Sequence, residues 1–503
     1  MWRKTVYFSL VLFLFTTNNF CFSQQKKISF SSKQSKGITL NNKKLLILWN
    51  NVLFKNNKSK MYCDSATYDR ANNSFIAYHN IKINENDSLE LYGDSLHYFG
   101  DDQMAYIYGN VFVKTSKISL KSPSLIYDQA RKIAFYNKGA IINDKNKGYT
   151  IKSKQGTFNT NTEVIYFKKE VVLNHPDYEI NSDTLIYHTN SQRSNIIGET
   201  KIKTNSSVIS CHKGWFDNKE NKSSLKGNIS IQTKHYEFFA DSIFYNENNG
   251  LSYAEGNVKI IDDSSDLIIE GTYGFHNENT DSAHVWNNAI LTQLDSIDTL
   301  KIYADQFINI SDSLVHEIYC FNDVVIDGTQ IQGDCDSIYY NETDSIMKCI
   351  VKPVIWMDES QVTGDKIEFK THGGLVEKMY VQNNAMIITQ KDSLLYDQIK
   401  GDIINGYFEN NKMSTMDVTG TGKVIYYSNN EKDSSITEIN KITCEEMRIH
   451  LKDNRISNIN FKISPLGISE PINEINSEGT YLENFYVFPR RTYSEKKEKA
   501  NGE

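Results

Sequence analysis

The feature that most constrains this chain is that it repeats itself. Residues 93–113 read GDSLHYFGDDQMAYIYGNVFV, and residues 240–260 read ADSIFYNENNGLSYAEGNVKI. With Asp94 as anchor, equivalent positions recur at Asp64, Asp94, Pro123, Lys154, Asp183, His212, Asp241, Thr272, Asp305, Asp336, Asp365, Asp402 and Glu445. These 13 copies lie 29 to 43 residues apart, most of them about 30. Such a period marks a stacked array, because one copy cannot bury its own apolar face and a run of copies can. The two widest spacings place insertions, polar loops in appearance, near residues 389–400 and 428–443.

Inside each copy the period is two. Apolar or small residues stand two positions after the anchor, as at Leu96, Leu125, Leu185 and Ile243, and nine of the 13 residues four after it are aromatic, as at Tyr98, Tyr127, Tyr187 and Tyr245. The residue between them varies freely, which predicts a strand with one buried face. A polar turn such as residues 246–250 follows, then a second strand with core pairs Val111/Val113 and Val258/Ile260. Gly109, Gly227 and Gly256 stand just before such pairs and predict a bulge or bend. A third short run, such as residues 89–92, leads into the next anchor, so two or three strands per copy are expected. The inward positions are therefore Leu96, Tyr98, Val111, Val113, Leu125, Tyr127, Leu185, Tyr187, Ile243, Tyr245, Val258 and Ile260. They line either a sealed core or an open trough.

Tyr and Phe total 55 residues against 6 prolines, a strand-forming stock that predicts an all-β chain. The formal net charge of −7 is interspersed, with no basic stripe of the kind nucleic acid requires. Residues 1–23 read as a cleavable signal peptide, with Arg3 and Lys4 before a short apolar core and small residues before the cut. Losing those two cations takes the charge from −7 to −9. Residues 24–37 form a polar lead-in, the array begins on a half-copy near Ile38 and runs to 488, and 489–503 reads as a disordered charged tail.

Six cysteines follow the cleavage point. Cys63, Cys211, Cys335 and Cys444 all occupy the slot just before the anchor, where other copies hold Gly, Ser or Ala. The slot demands a small side chain, and Cys serves as a small apolar one. No disulfide is expected. Those four lie three or more copies apart, and a repeat alignment puts Cys320 opposite Ile350, one residue off Cys349 and on the other face. No Cys or His pair has metal-ligand spacing, so neither metal nor cofactor is expected. The anchor acids read as residues at strand entrances, the alternative being a calcium ladder that Pro123, Lys154, His212 and Thr272 would interrupt. No nucleophile elbow, phosphate loop or zinc-protease motif is present, and no catalytic residue or enzymatic activity is expected.

The stretches MYCDSATYDRANNSFIAYHNIKI and LYGDSLHYFGDDQMAYIYGNVFV resemble the repeats of the OstA-like family, the LptA-type periplasmic lipopolysaccharide-transport proteins and the N-terminal domain of LptD. The copies cover residues 38–300 and continue through 301–488, a longer array than a short LptA has, and the Asn-, Lys- and Ile-rich composition is similar to the version found in Bacteroidetes. The resemblance implies an elongated open β-jellyroll, a V-shaped stack of antiparallel strands. It implies that lipid A acyl chains ride in an apolar groove. It also implies head-to-tail contact, edge strand to edge strand, with an inner-membrane LptC-like and an outer-membrane LptD-like protein. The periplasm is the implied location, bridging to the outer membrane. The competing expectation is a closed β-solenoid acting as a structural spacer or surface adhesin.

Overall fold

The computed structural model describes residues 28–491, except 57–58, 86–88, 145–147, 263–265, 295–298, 312–315, 373–374, 410–411, 431–434, 453–454 and 475–478. The proposed signal peptide lies outside the described residues. Those residues form antiparallel strands joined by tight turns, with one short 3-10 turn at Ile472–Glu474, and no helix among them is long and apolar enough to cross a membrane. The all-β expectation holds. The chain divides into two compact units, Met1–Glu163 and Val164–Glu503.

In the first unit, strands Lys43–Asn56, Ser59–Asp69, Ser74–Glu85, Leu89–Phe99, Met104–Lys114 and Ile118–Asp128 each pair with the next. In most copies the expected third run is not a separate strand, although Thr150–Ser153 and Ser360–Thr363 do stand apart from the strands that follow their anchors. Residues 89–92 and the anchor region are one continuous strand, so a regular copy is a single hairpin of two strands about 11 residues long, and only around residues 133–159 and 346–372 is the ladder divided into shorter strands. The ladder survives because the interruption is a β-bulge. The register shifts between Tyr92 and Ser95 where these two strands pair, and between Tyr108 and Val111 where the second pairs with the strand after it. A bulge adds a residue, bends the strand and leaves the pairing on either side intact.

The bend is written into the sequence. Gly109 and Asn110 adopt φ of 75° and 44°, a left-handed pair. The same pair recurs at Asn50/Asn51, His79/Asn80, Gly256/Asn257, Asn287/Asn288 and Asn383/Asn384. Gly and Asn are the residues that tolerate this backbone. Each long strand is thereby divided into two limbs. Limb A carries Leu91, Val111 and Val113; limb B carries Leu96, Tyr98 and Ile107.

The polar lead-in also takes structure. Gln34–Leu40 pairs with one limb of Lys43–Asn56 and Ser29–Ser31 with the other, supplying the strand that the half-copy at Ile38 was expected to lack. Its side chains are almost wholly exposed.

In the second unit the hairpins continue from Val164–Asn174 to Arg455–Ile463. Among the described residues the two insertions keep only a short turn at 391–395 and the single residues 430 and 435 outside the strands. They lengthen strands: Leu375–Gln390, Tyr396–Glu409, Lys412–Asn429 and Ile436–Lys452 have 14 to 18 residues each. The expected tail from 489 is placed as far as Arg491, and 492–503 lies outside the described residues.

Candidate functional site

The anchor acid sits in mid-strand, not at a strand entrance, and its partner is the neighbouring bulge. The side-chain amide of Asn110 donates to Asp94 at 2.8 Å, that of Asn80 to Asp64 at 2.8 Å, and that of Asn257 to Asp241 at 2.9 Å. Asn384 and Thr421 make the equivalent bonds to Asp365 and Asp402 at 3.1 and 3.3 Å. The acid also lies flat over the bulge glycine: a Cβ on Gly109 would stand 2.3 Å from Asp94 Oδ2, and one on Gly256 2.3 Å from Asp241 Oδ2. The repeated Asp and the repeated Gly-Asn are two halves of one clasp that fixes the bend. Their side chains are exposed, and among the described residues no group of three or more His, Cys, Asp or Glu is placed to hold a metal.

The slot before the anchor is small for a similar reason. A Cβ on Gly93 would meet Ile107 Cγ2 at 2.4 Å, and one on Gly401 would meet Val418 Cγ1 at 2.5 Å, because an inward branched side chain of the next strand fills that space. All six described cysteines are free and buried. One expectation about them is corrected. Cys320 pairs with Ile338, which pairs with Cys349, so Cys320 and Cys349 share the inward face with one strand between them. That separation is about 9.6 Å at the sheet spacing, beyond disulfide reach. Val354 pairs with Asp334, as Val325 does, so it is the counterpart of Val325 and not of Val324, and the repeat alignment was one residue out. Cys335 adjoins Cys349, and contact with that thiol together with burial pushes the Cys335 thiol far up.

The inward residues form continuous rows across the strands. On limb A of the first unit the row runs through Ile83, Leu91, Val113 and Leu120, and on limb B through Ala66, Ala77, Leu96, Ile107 and Leu125. Limb B has a second row, Tyr68, Phe75, Tyr98, Ala105 and Tyr127, nearer its turns. None of Leu96, Tyr98, Val111, Val113, Leu125 and Tyr127 is more than 6% exposed, and Leu185 and Tyr187 in the second unit are equally buried. Here the two limbs close on each other and bury their rows, each large side chain contributing about 1.5–3 kcal/mol.

Polar groups bolt the limb tips of the first unit together. Asn56 donates to the Tyr98 hydroxyl at 2.6 Å, which donates to Gln129 at 2.9 Å. The Tyr127 hydroxyl donates to Glu85, which also pairs with Lys132, and Lys117 reaches Glu163 at 2.6 Å. Burial pushes Tyr98 and Tyr127 up to about 12, so both hydroxyls remain donors.

Between residues 208 and 277 the same rows behave differently. The limb A row continues through Ile209, Ile231, Phe238, Ile260 and Ile269, and every one of these is only half-buried. On limb B, Phe216, Ile243, Tyr245 and His276 are half-buried as well. Only residues beside the bend, such as Cys211, Leu225, Ile229, Ala240 and Val258, are shut away from solvent. The cause is side-chain size. The limb B rows here hold Gly214, Ala254 and Gly274, and Ser223 and Ser252, whereas the closed stretch has no residue smaller than Ala66, Ala77 and Ala105 in its rows and sets them among Leu, Ile, Phe and Tyr. The apolar rows stay partly open to solvent between the limbs, a candidate trough with a polar lip. On that lip the Tyr245 hydroxyl donates to Glu278 at 2.9 Å, and burial followed by that carboxylate pushes it up to about 12. His276 stands 3.5 Å from Asp281.

The 12 positions read from sequence as inward therefore divide. Leu96, Tyr98, Val111, Val113, Leu125, Tyr127, Leu185 and Tyr187 are buried, Val258 is buried at the bend, and Ile243, Tyr245 and Ile260 are half-buried, in the candidate trough. Sequence reasoning missed Ile209 and Phe238 as trough residues. Their signal was present, since each continues the period-two pattern back through the anchor into the run that was read as a separate strand.

No curated protein matches the chain. Residues 26–183 match the family model of OstA-like proteins, a transport family of the lipopolysaccharide type that works in the periplasm and is not enzymatic. Over that stretch the chain is similar to OstA-like proteins.

Proposed function

We propose that this protein is a non-enzymatic periplasmic carrier that shields the acyl chains of lipopolysaccharide on their way to the outer membrane, and that strands Val208–Asp217 to Leu267–Asn277 form the loading trough. The observation that carries the proposal is the half-buried double row Ile209, Ile231, Phe238, Ile260, Ile269 and Phe216, Ile243, Tyr245. A continuous apolar surface left open to solvent in a folded chain marks a binding surface. Its aliphatic and aromatic lining suits hydrocarbon, which gains about 0.8 kcal/mol for each CH₂ removed from water. The polar lip would face a headgroup. The exposed edge strand Gln34–Leu40 offers unpaired backbone to a jellyroll partner of the LptC-like or LptD-like kind.

The test is photocrosslinking in cells from residues 243, 245 and 260, with residues 96 and 125 as closed controls. Lipopolysaccharide adducts at the first three and none at the controls are expected. Absence of adducts from all three trough positions overturns the proposal. The closed interior of the first unit favours the rival reading of a structural spacer, and normal lipopolysaccharide delivery after depletion of the protein would select it.

A further inference from the structure

The outer face of limb A is polar or mixed along most of the array, but between residues 354 and 439 it is apolar and covered. Trp356, Met386, Ile388, Ile425, Tyr427 and Ile439 are all buried there, on the side of the sheet opposite the core row Ile355, Val362, Ile387, Ile399 and Val424. The cover is the chain's own segment 479–491, which crosses the strand ends without joining their ladder. Leu482 packs on Ile425, Tyr427 and Ile439, and Phe485 lies 5.5 Å from the Tyr396 ring.

Two buried glutamines hold this segment by its backbone. The Gln398 amide donates to the Thr480 carbonyl at 2.9 Å and its oxygen accepts from the Leu482 N–H at 2.7 Å. The Gln361 amide donates to the Tyr486 carbonyl at 2.8 Å and its oxygen accepts from the Phe488 N–H at 2.8 Å. Gln398 is 0% exposed and Gln361 5%. In each case one carboxamide pairs with the C=O of one residue and the N–H of the second residue on, as a neighbouring strand would. The two clamps are six residues apart on the segment. Beyond them, Arg490 donates to the Asp358 carbonyl and Arg491 pairs with Asp334 and Asp323.

We infer that this face is a peptide-binding site for an extended apolar and aromatic segment that ends in two arginines, and that its occupant in trans is the 479–491 segment of a second copy of this chain. Three observations support it. Buried glutamines that recognise main chain in two-pronged fashion are a built receptor: without the segment Gln361 would lose both of these bonds and Gln398 would keep only its amide bond to the Tyr396 carbonyl. The segment is held by clamps and side chains and not by a ladder, so it leaves as a unit. Finally, the contacts are complementary to this chain's own sequence, and a second copy offers the same segment to the same site, as in exchange between protomers.

The test uses the full-length chain. Leu482→Ser with Phe488→Ser weakens the attached segment, and a fluorescent synthetic peptide of residues 479–491 is titrated in. Saturable binding to this variant is expected, with little to the unaltered chain, whose site is occupied. Adding Gln361→Ala and Gln398→Ala is expected to weaken binding at least tenfold, and Arg491→Ala in the peptide severalfold. Mixing two differently tagged full-length chains at high concentration is expected to give mixed dimers that the free peptide dissolves. If the variant keeps its β circular dichroism and melts cooperatively but binds no peptide, the site is overturned. Binding that survives both glutamine substitutions overturns the clamp, and failure to form mixed dimers overturns the second copy as occupant.

Discussion

Strands Ser59–Asp69 to Ile118–Asp128 and strands Val208–Asp217 to Leu267–Asn277 are built from the same hairpin, yet one set is shut and the other stands open. Clasp, bulge and alternation are common to both. What differs is the volume delivered into the wedge between the limbs. Leu96, Tyr98 and Tyr127 fill it in the first set, and Gly214, Ser223, Ser252 and Gly274 leave it partly open to solvent in the second. Backbone geometry sets where the strand bends, and side-chain volume sets whether the bend encloses a core or a trough. The difference can be broken or sharpened in solution.

The largest expected effect is in the closed stretch. Leu96→Ala should cost about 2–5 kcal/mol, because a cavity opens in a filled wedge. Ile243→Ala should cost about 1 kcal/mol, because that side chain is only half-buried. Chemical denaturation of the two variants measures both; equal losses would mean the trough is shut in solution. Next comes the clasp. Gly109→Ala places a Cβ against Asp94 at a left-handed position and should cost about 1–3 kcal/mol. Asp94→Ala removes the obstructing carboxylate and one exposed hydrogen bond but leaves its own Cβ 2.8 Å from the added one, so the double variant should recover only part of the loss. A strictly additive double-mutant cycle would show that acid and glycine are uncoupled.

A smaller effect concerns Asp397, buried at a limb tip, where it accepts the Tyr427 N–H at 2.9 Å. Burial pushes its carboxyl above the usual carboxylate range, against that hydrogen bond and Lys391. A folded pKa above the unfolded one means the native state binds the extra proton, so stability is greater below the unfolded pKa and falls as pH rises through the folded one. Asp397→Asn should therefore raise the thermal midpoint at neutral pH, and the gain should vanish toward pH 4. A gain that is constant from pH 4 to 7 would contradict the assignment. The smallest effect is expected at Asp417, where the Arg448 guanidinium at 2.6 Å holds the carboxyl below its ordinary range. A depressed folded pKa gives stability that is lost only as pH falls through that value, so Arg448→Ala should matter little in acid and slightly more at neutral pH, as paired melts at pH 3 and 7 would report.

Much of this was legible in sequence. The period near 30 gave the array, and alternation at Leu96/Tyr98 and Val111/Val113 gave the inward faces. Strand count was not legible, because a left-handed pair such as Gly109 and Asn110 reads equally as a break between strands or a bend within one. Nor was the open stretch, since Ile243 and Leu96 look alike and differ only in what faces them across the wedge. The glutamine clamps were invisible because Gln361 and Gln398 are unremarkable polar residues until a distant segment passes over them. The Cys320 and Cys349 register failed because Val354 looks like Val324 in sequence, whereas the ladder makes it the counterpart of Val325.

The clasp has a further consequence for how such a chain lengthens. In the regular copies its two halves stand 16 residues apart, as in Asp94 and Asn110 or Asp241 and Asn257, inside one hairpin. Each hairpin thus carries its own instruction to bend and borrows none from afar. Contacts so close in sequence form quickly. A duplicated gene segment of about 30 codons would therefore bring with it everything needed to extend the array by one more correctly folded turn.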